Sequence, residues 1–507
     1  MNLLVSLPVV LPLAGAATAL LLGRSAAVAR VVAVATLSAL LAVAVALLLV
    51  ADRDGPQVVR VGGWAPTLGI ALVADRLSAL LLVVSATVLL AVLGYAIAQG
   101  MSDPGGGLIT TVFHPAYLAL TAGVALAFLS GDLFTLFVGV EIMLTSSYVL
   151  VVLGGTAERV RAGTTYIVVS LTSSLLFLIT VAVVYAATGT VNLADLAGRV
   201  GALPPGLRTV LAMLLLVVFA IKTAAVPLHA WLPDSYPAAP TPVTAVFAGL
   251  LTKVGVYAMI RTQTLLFADG AATGVLLGLA VATMVVGLLG AIAQIDLNRM
   301  LSFVLVGHIG YMLFGLGVFT AAGVAGAVLY TVHHIVAQTT LFLVSGLVER
   351  RSGTVDLDKL GGLARAAPLL ALLFAVPAMS LSGIPPFSGF LAKLALLQSA
   401  VGQGAAALAV AAVTLLASAL TLVAMARVWT RAFWGEPVPP EPDRDPGDAV
   451  LVGQGRSPVG MRGTAAALGA VGVAIAVFGG PVQALTERAG GDLMQRDRYV
   501  EAVLGAG

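Results

Sequence analysis

Cysteine is absent from the 507-residue sequence, and charged residues are scarce. Without cysteine the chain cannot form disulfides, thiolate metal sites or iron–sulfur clusters. Only 10% of the residues are charged, whereas soluble domains average about 25%. A basic patch with interleaved aromatic residues is also missing, so no nucleic-acid partner is expected. Nor does a GxGxxG fingerprint followed by an acidic residue occur, so nothing indicates a bound dinucleotide.

Apolar runs of roughly twenty residues recur along almost the whole chain, and each is long enough to cross about 30 Å of hydrocarbon. The run 3–22 has no basic residue before it, so we expect a first span there rather than a cleaved signal peptide. Hydropathy predicts an all-α polytopic membrane protein with about fourteen transmembrane helices. The spans lie near 3–22, 30–50, 76–99, 113–130, 132–153, 163–187, 207–227, 241–263, 274–293, 300–318, 323–348, 366–402, 405–433 and 463–485.

Two connecting segments differ from the spans in composition. Within residues 51–75, Gln57–Val61 and Leu68–Val73 flank Gly62–Gly63, which predicts a short hairpin at the membrane surface. Segment 436–462 is rich in proline, glycine and charge and is predicted to be a loop.

Basic residues in the loops predict the orientation. An even number of spans places both termini on one side of the membrane. More of the basic loop residues lie on the opposite side, which the positive-inside rule makes cytoplasmic, so we expect extracytoplasmic termini. The residues on the predicted cytoplasmic side are Arg24, Arg30, Arg159, Arg161, Arg299, Arg350, Arg351, Lys359, Arg365 and the basic residues of 427–462.

Two predicted spans are interrupted by proline. Pro227 follows the apolar run of the seventh span, and Ser382–Pro386 interrupts the twelfth near its middle. Proline removes a backbone donor, and freed backbone groups at membrane depth are tolerated where they are buried in protein or line a wet cavity. Val226–Leu232 can be aligned with Ile384–Phe390, which places Pro227 opposite Pro385. Interrupted helices at corresponding positions are typical of transporters built from repeats.

Lysine is rare, with four copies among the 26 Lys and Arg residues. Three of them, Lys222, Lys253 and Lys393, lie within predicted spans, whereas the arginines lie almost entirely in loops or at helix ends. A buried lysine can lose its proton, whereas arginine stays charged. An ionised side chain at the bilayer centre costs at least ~2.5–3.5 kcal/mol on insertion scales. These lysines therefore indicate proton transfer.

Glu141 lies in the middle of the predicted span 132–153. Thr145 and Tyr148 share its helix face, which predicts a polar environment. Lys222, one turn before the first break, is its natural partner, because opposite charges neutralise one another. The alternative is an ion pair that only stabilises helix packing. That alternative is weaker for the other two membrane lysines, since one glutamate cannot neutralise three.

Histidines accompany the lysines. His308, His333 and His334 lie within spans, and His229 lies at the first break. Histidine titrates near neutral pH and can pass protons. The alternative for any one of them is a neutral packing histidine held by a hydrogen bond. Several histidines in the same spans as charged residues favour a relay.

Two other classes of protein stay open. A membrane redox protein could hold haem between facing histidines, and the spacing permits this for His308 and His334. Haem does not explain three membrane lysines, however, and no cofactor is expected. A scaffold subunit without transport of its own would leave the charges unexplained. No metal site is assigned, because Asp132 and Asp234 also fit a helix cap and a turn.

Motifs around these residues resemble a known superfamily. Gly131–Phe134 leading to Glu141 and Ser146–Tyr148 resembles the fifth span of the antiporter-like membrane subunits. That superfamily includes the Mrp-type multisubunit cation/proton antiporters and the proton-pumping subunits of respiratory complex I.

Two further motifs extend the resemblance over roughly residues 70–430. Trp231–Val243 followed by Ala248–Tyr257 is similar to the D-type branch of the Mrp antiporter subunits. Ser382–Phe390 with Lys393 is similar to the superfamily signature around the second broken helix. The complex I subunit most like that branch usually carries glutamate at the position of this lysine, which favours the antiporter.

The resemblance implies two inverted five-helix repeats, each with a discontinuous helix. The implied organisation is an N-terminal part at 1–110 with three helices and the hairpin, a first repeat at 111–264, a second repeat at 272–433, and a cytoplasmic loop, last helix and tail at 434–507. Glu141 would pair with Lys222 in one half-channel, and Lys393 would lie on the exit side. A central polar axis would consist of Lys253, His308, His333 and His334.

The implied function is exchange of Na+ for protons across the plasma membrane. The chain would act as one subunit of a hetero-oligomeric antiporter, with protons and Na+ or another monovalent cation as the transported ions. The main alternative is a proton-pumping membrane subunit of NADH–quinone oxidoreductase.

Overall fold

A computed structural model describes residues 2–22, 25–65, 67–101, 108–436 and 458–505. The described chain is helical apart from one small hairpin. The elements are α1 Asn2–Leu22, α2 Ala26–Asp54, β1 Gln57–Arg60, β2 Ala71–Ala74, α3 Arg76–Gln99, α4 Leu108–Leu129, α5 Leu133–Val151, α6 Ala157–Thr188, α7 Leu193–Gly201, α8 Pro205–Thr223, α9 Trp231–Ser235, α10 Thr241–Leu266, α11 Thr273–Ile292, α12 Leu297–Val318, α13 Ala321–Ser352, α14 Leu363–Ala366, α15 Pro368–Ser382, α16 Ser388–Ser399, α17 Ala405–Phe433, α18 Val459–Val477, α19 Gly479–Met494 and α20 Asp497–Leu504.

Within the described ranges, 13 helices are long and apolar enough to cross a membrane. α15 and α16, each shorter than these helices, follow each other across the break at 383–387, where the twelfth span was predicted. The predicted polytopic helical fold is therefore confirmed. The predicted loop at 436–462 falls mostly outside the described residues, and its described end joins α18 at Val459, slightly earlier than predicted.

Three helices form the centre of the molecule. α10 and α13 are buried over the whole of their most apolar stretch, and α12 over 94% of it, whereas α2 is buried over 28% and α18 over 17%. A helix that is apolar and buried on every side has no lipid-facing stripe. Polar groups on these three helices are therefore enclosed by protein.

The predicted hairpin is present but shorter in its second strand. Gln57 pairs with Ala74 and Arg60 with Ala71 in an antiparallel ladder. The second strand begins at Ala71 rather than at Leu68, because the amides of Leu68 and Gly69 both donate to the Ala65 carbonyl in a turn.

Local geometry recurs between the two halves of the chain. Asp132 caps α5 and forms a β-bridge with Asn192, and Asp296 caps α12 and forms a β-bridge with Asp356. α6 and α13, each 32 residues long, both end at a left-handed glycine. The recurrence supports the predicted repeats; their inversion and the boundaries at 111–264 and 272–433 stay predictions.

Candidate functional site

Both predicted helix breaks are present, and their backbones match. α8 ends at Ala224 and α15 at Gly383, each in the left-handed conformation, with φ 58° and 82°. The amide after each of these residues donates to a carbonyl one turn back, from Ala225 to Ala220 in the first break and from Ile384 to Met379 in the second. This match places Pro227 opposite Pro386, so the sequence alignment with Pro385 is wrong by one residue. The alignment of the two breaks is set by the left-handed residue that ends each helix, and similarity of side chains does not reveal that residue.

The first candidate cluster joins Glu141 and Lys222 through Ser174. The ammonium of Lys222 donates to the Ser174 hydroxyl at 2.9 Å and lies 3.4 Å from the Ser170 carbonyl. The same hydroxyl donates to Oε1 of Glu141. The structure thus brings the two predicted partners to one hydroxyl that bridges them. Ser174 was not predicted from the sequence, although the serine pair at 173–174 in an apolar span was a signal.

Lys222 also lines a small cavity of about 20 Å³ between α5, α6, α8, α9 and α10. The walls are mostly apolar and include the rings of Tyr166 and Trp231. Tyr148 packs against Tyr166, with its hydroxyl buried. Thr145, which was expected to share the polar environment, is exposed on the helix surface instead. The polar neighbours of Glu141 therefore come from α6 more than from its own helix.

Lys253 is fully buried in α10, with 0% exposure. Its ammonium donates to the Ala248 carbonyl at 2.6 Å. That carbonyl belongs to a π-helical turn, Phe247–Leu251, and such turns are frequent at functional sites. Gly249 in this turn lets α13 approach, because a Cβ there would lie 2.3 Å from the Thr339 hydroxyl. The turn therefore both satisfies the lysine and fixes α10 against the histidine-bearing helix.

The second candidate cluster surrounds His308 on α12. Its Nδ1 is 2.9 Å from the Tyr330 hydroxyl and its Nε2 is 3.2 Å from the Thr421 hydroxyl. The ring of His334 lies 5.2 Å away, between centroids. Tyr330 stacks on Tyr311 at 4.8 Å with the rings nearly parallel. Both nitrogens of His308 thus face hydroxyl groups that can give or take a proton.

Lys393 contacts Tyr311 of this stacked tyrosine pair. Its ammonium is 4.9 Å from the centroid of the Tyr311 ring. It donates to the Leu381 carbonyl and to the Ser418 hydroxyl, each at 2.7 Å. Gly383 is needed beside it, because a Cβ there would lie 2.8 Å from Cδ of Lys393. Ser418 was not predicted from the sequence.

His333 and His334 complete this cluster. Nδ1 of His333 is 2.9 Å from the Ser388 hydroxyl at the start of α16. Its Nε2, and both nitrogens of His334, are buried without a hydrogen-bond partner among the described residues. The side-chain oxygen of Gln338 and the hydroxyl of Thr252 are likewise buried without a partner among the described residues. Buried polar groups of this kind are commonly bridged by internal water.

The predicted residues therefore fall into two groups, and the hydrogen bond of Lys253 belongs to neither of them. Glu141 and Lys222 form one group, and a larger one contains Lys393 with the histidines. Lys253 makes its hydrogen bond within its own helix, and Gly249 in the same turn brings α10 against Thr339 of α13.

The two aspartates considered as cation ligands have other partners. Asp132 accepts from the amide and the hydroxyl of Thr135, both at 2.6 Å, which confirms the helix cap. Burial raises the pKa of Asp132 above its usual range, although these hydrogen bonds oppose the change. Asp234 forms an ion pair with Arg299 at 2.8 Å on the surface.

The family described as "NADH:quinone oxidoreductase/Mrp antiporter, TM" matches residues 130–421, a range that contains every predicted site residue. The chain belongs to this family. The match covers more than half of the sequence and includes both helix breaks.

Curated relatives of the chain include antiporter subunits. The chain is 41% identical over 439 residues to the D subunit of the Na(+)/H(+) antiporter of Alkalihalophilus pseudofirmus, covering 86% of this chain and 88% of the relative. It is 36% identical to the Na(+)/H(+) antiporter D subunit of Bacillus subtilis with the same coverage. It is also 34% identical to a putative antiporter subunit mnhD2 of Staphylococcus aureus, covering 80% of each chain.

Solved structures share the fold. A chain of the Mrp complex from Dietzia sp. DQ12-45-1b matches with a TM-score of 0.91 and 34% identity, and the match covers 100% of both chains. A chain of the membrane-bound sulfane sulfur reductase, an archaeal respiratory membrane complex, matches with a TM-score of 0.86 and 27% identity over 99% of this chain and 100% of the other.

Proposed function

We propose that this chain is a proton-translocating membrane subunit of a multisubunit Na+/H+ antiporter. The identity of 41% to an antiporter D subunit over 86% of the chain supports this assignment. The match to a chain of an Mrp complex over its full length supports assembly with other subunits. We place the complex in the plasma membrane with both termini extracytoplasmic, as the distribution of basic loop residues predicts.

The observation that carries the proton role is the set of ligands around the three membrane lysines. Lys222 and Lys393 each donate to a serine hydroxyl, and Lys253 donates to a backbone carbonyl. None of these ligands carries a charge that would fix the ammonium permanently. A buried lysine held only by neutral acceptors can lose its proton, which a permanently paired lysine cannot do easily.

Ser174 gives Glu141 a means to control Lys222. A hydroxyl can accept from an ammonium and donate to a carboxylate at the same time, as Ser174 does here. When the carboxylate moves away, the ammonium loses electrostatic support and releases its proton more readily. Glu141 thus acts as a modulator of Lys222.

We propose that the released proton moves through Lys253 to the histidine cluster and then to Lys393. His308 can take a proton on one ring nitrogen and release one from the other, and Tyr330 faces it on the side of α13. His333 connects to the second break through Ser388. In this scheme each broken helix holds one terminal lysine of the path.

Purification of the assembled complex tests the assignment. We expect co-purification with other antiporter subunits and Na+-driven proton exchange after reconstitution into proteoliposomes. The same measurement on this chain alone should give much less exchange, since the relatives are named as subunits. Co-purification with quinone-reductase subunits, and proton transport without Na+, would instead favour the complex I alternative.

A further inference from the structure

A buried arginine lies at one end of the proposed path. Lys253, Tyr257 and Arg261 follow each other at four-residue spacing on α10, so they share one helix face. Arg261 is only 3% exposed. The other arginines lie mostly in loops or near exposed helix ends, whereas Arg261 lies near an end of α10 that is buried.

Asp75 holds this arginine in place. Nη2 of Arg261 lies 2.7 Å from Oδ2 of Asp75, and both side chains are nearly inaccessible. Asp75 is the N-cap of α3, and its other oxygen accepts from the amide and hydroxyl of Ser78. The carboxylate is therefore fixed by two hydrogen bonds and an ion pair.

Two tyrosines enclose the guanidinium. Its central carbon lies 5.4 Å from the ring centroid of Tyr257 and 4.9 Å from that of Tyr499. Tyr499 is 5% exposed on α20. This short helix is held in place by Arg60, which donates to the Val503 carbonyl at 3.0 Å. The C-terminal helix therefore covers the end of α10.

A small pocket lies next to the guanidinium and is lined by Asp75, Arg261, Asp492, Arg496, Arg498 and Tyr499. Nε of Arg261 and the hydroxyl of Tyr499 are buried without a hydrogen-bond partner among the described residues. The pocket, of about 10 Å³, has room for about one water molecule beside these groups.

We propose that Arg261, held by Asp75 and covered by Tyr499, is a seal that closes the terminus-side end of the Lys253 axis to protons and cations. The inference rests on the proposed proton path. Arginine keeps its proton at all relevant pH values, so it cannot pass one onward. The ion pair with Asp75 holds this protonated side chain in place, and the two tyrosine rings cover its faces, so protons and cations find no hydrated route past it.

The two basic residues on this face of α10 suit different tasks. Lys253 lies in the middle of the helix, where the proposed path needs a group that exchanges protons. Arg261 lies near the end, where proton exchange would let protons leak without transport of Na+. Asp75 lowers the cost of burying the guanidinium. The tyrosine rings exclude water from its faces and add cation–π attraction.

Passive proton leak in the assembled complex tests the seal. The variant Arg261→Gln/Asp75→Asn removes both charges together, so no buried charge is left unpaired. In proteoliposomes without Na+, we expect an imposed pH gradient to decay about tenfold faster, because the free-energy barrier to proton passage is lower. The matched control is Asp195→Asn/Arg199→Gln, an ion pair on the neighbouring α7, which should leave the leak unchanged.

A second variant covers the case in which the first does not assemble. Tyr499→Ala leaves the ion pair but opens one face of the guanidinium to water. We expect an increase in leak of about threefold, in line with the weaker cation–π energies. An assembled complex of either variant with wild-type leak would overturn the proposal.

The addition of Lys253→Met separates this inference from the proposed function. If Arg261 seals the axis, Lys253→Met should return the leak of Arg261→Gln/Asp75→Asn to near the wild-type rate. A leak that persists would overturn the claim that the seal belongs to this axis. The proposed function fails by a different result, namely full Na+/H+ exchange in the single variant Lys253→Met.

Discussion

The lysines at the two helix breaks have similar ligands but different electrostatic surroundings. Lys222 and Lys393 each donate to one serine hydroxyl and lie near one backbone carbonyl. A carboxylate, that of Glu141, lies one hydroxyl away from Lys222. The corresponding neighbour of Lys393 is the face of Tyr311. One lysine therefore has a charged modulator, and the other has neutral groups in its described surroundings.

This difference suggests different roles for two lysines with the same chemistry. A mobile carboxylate can raise and lower the proton affinity of Lys222 during a cycle. Lys393 lacks such a control among the described residues, so its proton affinity depends on hydration and on the neutral groups that contact it. We therefore expect regulated uptake at the first break and simple release at the second.

We expect the largest loss of exchange from substitution of Lys393, the lysine without a nearby carboxylate among the described residues. Lys393→Met should abolish Na+/H+ exchange, because it removes the amine that Ser418 holds. Its effect on stability should be small, since no buried carboxylate loses its partner. Exchange by the reconstituted complex measures the first effect, and thermal unfolding measures the second. Lys359→Met is the matched control, because Lys359 lies in a loop, and it should retain exchange.

Glu141→Gln is expected to cause a partial loss. The amide can still accept from Ser174, so the hydrogen bond is kept while the charge is removed. Lys222 then holds its proton less tightly, and the pH optimum of exchange should move to lower pH. Measurement of exchange against pH checks this expectation. An unchanged pH profile would mean that Glu141 does not control Lys222.

Substitution of the serine that binds each lysine should reduce exchange, and by a different amount at the two breaks. Ser174→Ala should reduce exchange about tenfold, because it removes a hydrogen bond to a charged group and the link to Glu141. Ser418→Ala should have a weaker effect, because Lys393 keeps the Leu381 carbonyl. Equal losses in the two variants would remove the distinction between the breaks.

The smallest effects concern the left-handed residues that end α8 and α15. Ala224→Gly should raise the free energy of unfolding by up to about 1 kcal/mol, because glycine tolerates positive φ. Gly383→Ala should lower it, since the added Cβ would lie 2.8 Å from Lys393. Thermal unfolding of the two variants in detergent checks both signs. Destabilisation by Ala224→Gly would contradict the backbone match.

Much of the fold could be predicted from composition and spacing. Long apolar runs give the spans, and the prolines near Pro227 and Pro386 give the breaks, because both signals are local. The exact alignment of the breaks could not be predicted, since it depends on the left-handed residue and not on side-chain similarity. The second hairpin strand was predicted too long for a similar reason: the turn at Ala65 depends on backbone hydrogen bonds.

The candidate site could be predicted for charged residues but not for their neutral ligands. A lysine in an apolar span is conspicuous, and so is Glu141. Ser174 and Ser418 are not, because serines are common in membrane helices and only the tertiary structure shows which of them meets an ammonium. Arg261 was overlooked because the sequence does not distinguish a buried helix end from an exposed one.

Substitution by arginine tests the central claim, that the membrane lysines release protons, most directly. Lys222→Arg keeps a positive charge beside Ser174 and Glu141 but cannot release a proton under working conditions. We expect the reconstituted complex with this variant to assemble normally and to lose Na+/H+ exchange. Full exchange by the assembled variant would contradict the claim.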